Sequence, residues 1–321
     1  MSQSQGYVLH IYGDEKYVHH AVASVVTLRR HDQDRPIALY ASEEQISLLR
    51  ESGLSGHFSV LLPLPEEYRS IVGFKHHLHL FRPFEKCLYV DADMVWCRNP
   101  DPLWSQLSGF TFTATGVERA DIFFGAPKGV GILSHILTGR RGKTMKLFGA
   151  TYLPRVQAGI IYSAEEEITR KVCTEAGFLL SRRSETHFGS RLSEGRNEES
   201  CEWSLALAMS RLDLPIFNLF QGQNTAQIDY VEGLVRHDTD FERVSCLYFV
   251  DRLVHGFRGI RNPTVRKALT RIFLALPGKG DHMWVTPFVL HFGWLHHKQP
   301  FYDLAERIWE QELRRTALPV V

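Results

Sequence analysis

Short apolar runs and amphipathic stretches alternate over the first sixty residues of the chain. The runs at 7–12, 36–40 and 58–62 have the length and composition of buried strands. Between them, apolar residues recur every three or four positions over 18–30 and 42–51, which is the spacing of a helix that buries one face. Strand, helix, strand, helix, strand is the order of a parallel sheet with right-handed crossovers. The pattern therefore predicts an α/β fold.

The same patterns continue through the rest of the chain. Apolar runs predict further strands, at 87–90, 110–114, 156–162 and 289–291. Helical spacing predicts helices, at 74–84, 165–180, 199–211 and 303–315. The stretch 121–153 is rich in glycine and basic residues, and we interpret it as an insertion that forms an acceptor-binding lid.

Two carboxylates, Asp91 and Asp93, follow directly after the apolar run 87–90. A buried carboxylate must be paired, hydrogen-bonded or bound to a metal. Ligands of open α/β sheets also collect at the carboxyl ends of the strands. A divalent cation with a bound diphosphate would satisfy both conditions. The alternative is that the two aspartates only cap a turn ahead of Asn99 and Pro100.

Composition narrows the class of protein without identifying it. The chain has 321 residues, 44% of them hydrophobic and 23% charged, as in soluble globular proteins. A net charge of +1 gives no general argument for nucleic-acid binding. Its five cysteines show no CxxC spacing, which favours a reducing compartment over a zinc site or a disulfide framework. Since we find neither a signal peptide nor a spanning segment, we expect a cytoplasmic location.

One region departs from the even distribution of charge. Residues 252–279 contain seven basic and no acidic residues, interleaved with apolar ones. Such a segment can lie on an anionic membrane surface, so we expect peripheral membrane contact there. The alternative is a solvated basic helix of an ordinary domain.

Four blocks of the sequence, in this order, resemble the GT-A glycosyltransferases of the glycogenin type, which are the family-eight retaining enzymes. The first block is the opening strand and turn with Asp14 and Tyr17, and the second is FKHHLHLFRPFEKCLYVDADMVW at 74–96. The third is VQAGIIY at 156–162, and the fourth is HFGWLHHK at 291–298. The ordered set extends over roughly residues 7–302.

The resemblance implies a GT-A (Rossmann-like) fold with a central, mostly parallel sheet flanked by helices. We expect a single domain over 1–321, with a nucleotide-binding half at 1–115 and an acceptor-side half at 116–321. The implied activity is metal-dependent transfer of a hexose from a nucleotide-diphosphate sugar, a UDP-hexose, to a hydroxyl group with retention. The implied cofactor is Mn²⁺ or Mg²⁺. The acceptor stays open between a glycan, a lipid-linked molecule, a protein and a nucleic acid.

The resemblance also implies roles for individual residues. The implied metal ligands are Asp91, Asp93 and His291. The implied nucleotide-sugar contacts are Asp14, Tyr17, Lys75, Asp91, Gln157, Gly159, Gly293 and Lys298. The implied catalytic residues are Asp91, Asp93, Gln157 and Lys298. Lys298 would stabilise charge on the departing phosphates. We name no catalytic base, because retaining members of the family show no obvious enzymatic nucleophile.

Several alternatives stay open from the sequence. The family's Asp-Gln pair has no clear equivalent; Glu202 and Trp203 are the nearest, followed by Glu198 and Glu199. The run LYVDADMV also fits a phosphohydrolase of the haloacid dehalogenase type, whose nucleophile, however, normally lies on the first strand. A binding module that kept the fold and lost turnover is the third possibility. His291 and Tyr17 are also compatible with ordinary core positions.

Overall fold

The computed structural model describes residues 4–118, 137–219, 221–249, 260, 262–275 and 282–317. Its first strands are β1 (Gln5–His10), β2 (Ile37–Ala41), β3 (Val60–Pro63), β4 (Lys86–Val90), β5 (Met94–Trp96), β6 (Phe112–Val117) and β7 (Arg155–Ser163). The later strands are short: β8 (Phe217–Asn218), β9 (Gln227–Asp229), β10 (Val235–His237), β11 (Val244–Phe249), β12 (His282–Val285) and β13 (Val289–His291).

Nine α-helices lie within these described ranges. The first five are α1 (Lys16–Arg29), α2 (Glu43–Glu51), α3 (Ile71–Lys75), α4 (Asp101–Leu107) and α5 (Arg140–Phe148). The others are α6 (Glu166–Ser181), α7 (Glu202–Arg211), α8 (Pro263–Ala275) and α9 (Gln299–Ala317).

The central element is a seven-stranded sheet in the order β3–β2–β1–β4–β7–β6–β8. The pairs β3–β2, β2–β1, β1–β4 and β6–β8 are parallel, whereas β7 runs antiparallel to both β4 and β6. Helices pack on both faces, so strands such as β2 are buried along their whole length. The predicted α/β class with a central, mostly parallel sheet is confirmed.

Side chains of the sheet alternate between two hydrophobic layers. Tyr7 and Leu9 point into the layer with α1 and α9, while Val8 points into the layer with α6 and α7. This follows from the two-residue period of a strand. Burial on both faces explains why the first strands appear in the sequence as nearly continuous apolar runs.

A smaller sheet of three strands, β5–β13–β9, brings distant parts of the chain together. β13 is the middle strand, antiparallel to β5 and parallel to β9. In this register His291 lies opposite Met94 on one side and Asp229 on the other. Because β5 begins directly after Asp93, the end of β13 is placed beside the carboxyl end of β4.

The prediction of a helix over 74–84 is wrong. Helix α3 ends at Lys75, and only a short 3₁₀ turn, Leu78–Leu80, follows. Phe74 and Phe81 stack on each other, and the Tyr89 hydroxyl donates to the carbonyls of Leu78 and Phe81, so tertiary contacts replace the helical bonds. About half of the predicted lid at 121–153 lies outside the described residues, and the described part, 137–153, includes α5.

Candidate active site

Asp91, Asp93 and His291 converge at the carboxyl end of β4. One ligand atom from each of the three lies within 4.8 Å of the other two. The Nε2 atom of His291 is 3.5 Å from Oδ1 of Asp93 and 3.9 Å from Oδ2 of Asp91. All three side chains are largely shielded from solvent. The spatial convergence expected from the sequence is therefore present.

Backbone bonds hold the two aspartates in place. The Asp91 amide donates to the Gly159 carbonyl on β7 at 3.0 Å, which extends the β4–β7 ladder into the turn. The Asp93 carbonyl accepts from the Phe292 amide at 3.0 Å, which links the same turn to β13. The turn 91–93 thus lies between the large sheet and the small one.

Lys75 is buried rather than on the surface. Its ammonium group is 2.7 Å from Oδ1 of Asp91 and donates to the Ala158 carbonyl at 2.8 Å. Burial lowers the pKa of Lys75, but the Asp91 carboxylate outweighs it and the net shift is upward. Lys75 is therefore a fixed positive charge at the site.

Lys298 supplies a second positive charge from the opposite side. Its ammonium group is 2.6 Å from Oδ2 of Asp93. Burial would raise the pKa of the Asp93 carboxyl, yet Lys298 and His291 together hold it well below its usual range. The same attraction outweighs the burial of Lys298 and raises its pKa. Each aspartate of the pair thus has its own lysine.

His291 is held by a residue that the sequence analysis missed, Asp229. The Nδ1 atom of His291 lies 2.9 Å from Oδ1 of Asp229. Burial alone would lower the pKa of His291. The carboxylates of Asp93 and Asp229 outweigh this effect and raise the pKa to about 10. No run of apolar residues marks Asp229 in the sequence, because its strand, β9, is only three residues long and contains Gln227.

Gln157 and Gly159 lie on β7 beside the cluster. The Gln157 amide nitrogen donates to Oδ1 of Asp229, and it is 3.4 Å from Nδ1 of His291. A Cβ atom on Gly159 would lie 2.7 Å from Cε of Met94 and 3.1 Å from Oε1 of Gln227. Glycine therefore allows close packing beside the cluster of Asp91, Asp93 and His291. Room for a sugar at this position stays a prediction.

Gly293 contacts the site through the His291 ring. A Cβ atom at this position would lie 2.6 Å from Cε1 of His291 and 3.2 Å from each ring nitrogen. Such a distance to Cε1 is shorter than real contacts, and an aromatic ring has no flexible end that can move aside. Gly293 thus keeps free the space that the imidazole occupies.

The predicted base-contacting residues lie where β1 passes into α1. The Asp14 carboxylate is exposed and pairs with Lys16 at 2.7 Å. Tyr17 is half-buried, with its ring edge-on to His20 at 5.4 Å, and the ammonium group of Lys16 lies 5.2 Å from the centre of the same ring. No contact of Asp14 with the cluster is present among the described residues.

The three glutamates considered for the acceptor side differ in their contacts. Glu198 accepts from the Tyr12 hydroxyl and the Ile71 amide, both at 2.8 Å. Glu199 accepts from the Arg191 amide and the Ser190 hydroxyl within its own loop. Glu202 begins α7, and burial raises the pKa of its carboxyl to about 7 against the opposing effect of Arg155. Trp203 beside it is completely buried.

The donor set of the cluster fits a divalent cation. Two carboxylates and an imidazole suit Mn²⁺, and carboxylates alone suit Mg²⁺. The present arrangement already balances the aspartates with Lys75, Lys298 and protonated His291. A cation that binds here must replace part of that positive charge, including the proton on Nε2 of His291.

Searches with protein-family models and against curated protein sequences found no match to the chain. Among solved structures, the chain is similar to the galactosyltransferase LgtC, which was crystallised with donor and acceptor sugar analogues; identity is 11% and the TM-score 0.49, with 98% of each chain covered. It is similar to the glycosyltransferase GlyE of Streptococcus pneumoniae, with 14% identity and a TM-score of 0.48 over 98% of this chain and 63% of that one. It is also similar to mouse xyloside xylosyltransferase 1, with 10% identity and a TM-score of 0.47 over 72% of this chain and 89% of that one.

The predicted basic region 252–279 is described only at 260 and 262–275. Arg266 of α8 is completely buried and donates to the carbonyls of Ile260 and Glu232, so it does not belong to an outer basic surface. Lys267 and Arg271 are exposed. The exposed apolar residues of α8 recur at helical spacing: Val265, Leu269 and Ile272. Within the described residues, no helix has the length and apolar character needed to cross a bilayer.

Proposed function

We propose that the chain is a metal-dependent glycosyltransferase that transfers a hexose from a uridine diphosphate sugar to a hydroxyl acceptor. The observation that carries this proposal is the convergence of Asp91, Asp93 and His291, with one ligand atom of each within 4.8 Å. Two buried lysines flank the same carboxylates. This combination provides a cation site with additional positive charge around it, which suits a bound diphosphate.

Asp93 and His291 would hold the cation, and Asp91 would be shared between the cation and the ribose. A divalent cation bound there supplies Lewis-acid stabilisation of the departing diphosphate. Lys298 would turn from Asp93 to the phosphate oxygens, where a preorganised cation stabilises charge that develops in the transition state. Lys75, fixed by Asp91 and the Ala158 carbonyl, would contact the donor sugar or the diphosphate.

The reaction exchanges one bond at the anomeric carbon. The bond to the diphosphate oxygen breaks, a bond to the acceptor oxygen forms, and the proton of the acceptor hydroxyl would pass to the departing phosphate. The sequence blocks support retention of configuration, and the leaving phosphate would assist the incoming hydroxyl. Tyr17 would stack on the nucleotide base, Asp14 would lie at its edge, and Gln157 would face the donor or acceptor. The halves 1–115 and 116–321 would serve nucleotide and acceptor respectively.

The proposal is tested by thermal denaturation in the presence of nucleotide sugars, with and without Mn²⁺. A ligand that binds only the folded protein raises its apparent melting temperature. We expect a rise with a uridine diphosphate hexose that requires Mn²⁺ and disappears in Asp93→Asn. Donor hydrolysis under the same conditions would distinguish an enzyme from a binding module.

Two results would contradict the proposal. One is stabilisation by no nucleotide sugar at any concentration of Mn²⁺. The other is hydrolysis of p-nitrophenyl phosphate that Asp91→Asn abolishes, since this would favour a phosphohydrolase.

We also propose that α8 contacts an anionic membrane surface from the cytoplasmic side. The support is the outward position of Val265, Leu269 and Ile272 together with the exposed cations of Lys267 and Arg271. Apolar side chains that enter the headgroup region, with basic residues beside them, are typical of interfacial helices. A lipid-linked acceptor would fit this location.

A further inference from the structure

Asp229 lies behind the metal-ligand cluster, and its carboxylate is almost completely buried. Its Oδ1 accepts from Nδ1 of His291 at 2.9 Å and from the amide nitrogen of Gln157. Its Oδ2 accepts from Nε1 of Trp294 at 3.0 Å. A buried carboxylate is costly unless such donors surround it, and here three different side chains provide them.

The backbone also holds Asp229 and His291 next to each other. His291 and Asp229 are direct partners in the parallel ladder of β13 and β9. The Tyr230 amide donates to the His291 carbonyl at 2.7 Å, which fixes the two strands together just past the pair. The distance between the imidazole and the carboxylate is thus set by the small sheet.

A carboxylate only accepts hydrogen bonds, so the ring nitrogen that faces it must carry a proton. Nδ1 of His291 therefore keeps its proton when the ring is neutral, and the proton that a cation displaces is that of Nε2, which points to the opposite side. There it faces Oδ1 of Asp93 at 3.5 Å and Oδ2 of Asp91 at 3.9 Å. The direction of the ring is the one that a metal ligand needs.

We propose that Asp229 is a positioning residue, which fixes the tautomer and direction of His291 so that Nε2 faces a cation shared with Asp91 and Asp93. This inference rests on the proposed function. Carboxylates that accept from the second nitrogen of a ligating histidine orient the ring and strengthen it as a ligand. Asp229 touches no reacting atom and acts through His291.

The same carboxylate determines which atom Gln157 offers. Because Asp229 cannot donate, the Gln157 amide must turn its nitrogen toward Oδ1. Its carbonyl oxygen is then the atom available to a ligand. Asp229 thus orients both a metal ligand and the amide predicted to contact donor or acceptor.

The test measures Mn²⁺ affinity without any donor, from the electron paramagnetic resonance signal of free Mn²⁺. Asp229→Asn keeps the shape but offers one oxygen to three donors, so we expect Mn²⁺ binding to weaken by about 10- to 100-fold. Trp294→Phe is the matched control: it removes the bond to Oδ2 and keeps the bond to His291, so the affinity should stay that of the wild type. His291→Ala tests the metal site itself and should abolish tight binding.

The outcomes separate the two proposals. Wild-type affinity in Asp229→Asn, with binding lost in His291→Ala, overturns the role of Asp229 and leaves the metal site standing. Wild-type affinity in His291→Ala overturns the metal site. If Asp229→Asn does not fold, the ¹⁵N spectrum of the His291 ring in the Mg²⁺-loaded wild type decides: a protonated Nδ1 supports the proposal, and an unprotonated Nδ1 overturns it.

Discussion

The ammonium group of Lys298 lies 2.6 Å from Oδ2 of Asp93, the carboxylate whose other oxygen faces the His291 imidazole. One carboxylate is therefore shared between a lysine and the predicted metal ligand. A divalent cation that binds to Asp93 competes directly with this lysine. In the proposed mechanism, the contact would link cation binding to the release of a positive charge for the phosphates.

Replacing Lys298 should separate cation binding from turnover. In Lys298→Met, the competing ammonium group is lost, so we expect Mn²⁺ to bind more tightly. Transfer should still slow by about 10²- to 10³-fold, because a charge that stabilises the transition state is missing. Electron paramagnetic resonance and initial rates measure the two effects. Lys171→Met on the exposed face of α6 should change neither, and a joint loss of affinity and rate would mean that Lys298 only holds Asp93 in place.

Replacing Lys75 should destabilise the protein without metal. Lys75→Met leaves Asp91 without its partner, and breaking a buried ion pair costs about 3–5 kcal/mol. We expect the free energy of unfolding in urea to fall by that amount, and Mn²⁺ to recover part of it by neutralising Asp91. Lys16→Met, which breaks the exposed pair with Asp14, should cost at most about 1 kcal/mol. Equal losses in the two variants would refute the importance of the buried pair.

Gly293→Ala should disturb the metal site more than the fold. The new methyl group would overlap the His291 ring, and overpacking of this kind costs about 1–3 kcal/mol. Since the rigid ring can relieve the overlap only by shifting as a whole, we expect Mn²⁺ affinity to fall roughly tenfold and the melting temperature to fall by only a few degrees. Gly109→Ala, where a Cβ meets no atom within 4 Å, is the control. Unchanged affinity in Gly293→Ala would show that the ring tolerates the methyl group.

Glu202 should make stability depend on pH. Burial raises the pKa of its carboxyl from 4.5 to about 7, so the folded protein binds this proton more tightly than the unfolded chain. The stability that Glu202 contributes is complete below the pKa of this group in the unfolded chain. It is lost as the pH rises through the pKa in the folded protein. We expect Glu202→Gln to become more stable relative to the wild type between pH 5 and 7.5, as measured by urea unfolding. A difference between the two proteins that is independent of pH would contradict the shift.

Reversing the exposed charges of α8 should weaken membrane binding. Each basic residue near an anionic surface contributes about 1 kcal/mol, so the double variant Lys267→Glu, Arg271→Glu should bind phosphatidylserine vesicles at least about tenfold more weakly. Co-sedimentation measures the bound fraction. Reversal of Arg170 and Lys171 on α6 is the control, and Arg266 is unsuitable because it is buried. Equal binding by both double variants, or none by the wild type, would remove α8 as the contact.

Strands β1, β2 and β4 of the large sheet were predictable because they are buried on both faces and are therefore nearly apolar, whereas β3 at the edge is only partly buried. Asp91 and Asp93 were identifiable as carboxylates at the end of such a strand, and His291 likewise ends an apolar run. The spacing of apolar residues over 74–84 was compatible with a helix, although the structure has none over most of that stretch. Its aromatic residues pack on Tyr40, Tyr68 and Tyr89, and contacts so distant in sequence leave no local signal.

The site could be predicted only in part, because its contacts depend on strands that are far apart in the sequence. The bond between Asp229 and His291 depends on the ladder of β9 and β13, two strands of three residues each. Strands this short carry little periodicity, so neither their pairing nor their register can be inferred from the sequence. The burial of Lys75 likewise depends on the pairing of β4 with β7, two strands that are distant in sequence.

The small sheet also affects when the site can assemble during synthesis. Its middle strand, β13, and Lys298 come from the last tenth of the described chain, whereas β5 and the two aspartates come from the first third. A growing chain therefore carries Asp91 and Asp93 long before it reaches the imidazole that completes the cluster. A product that stops before β13 lacks the third proposed ligand, so we expect premature termination to give an inert protein rather than a partly active one.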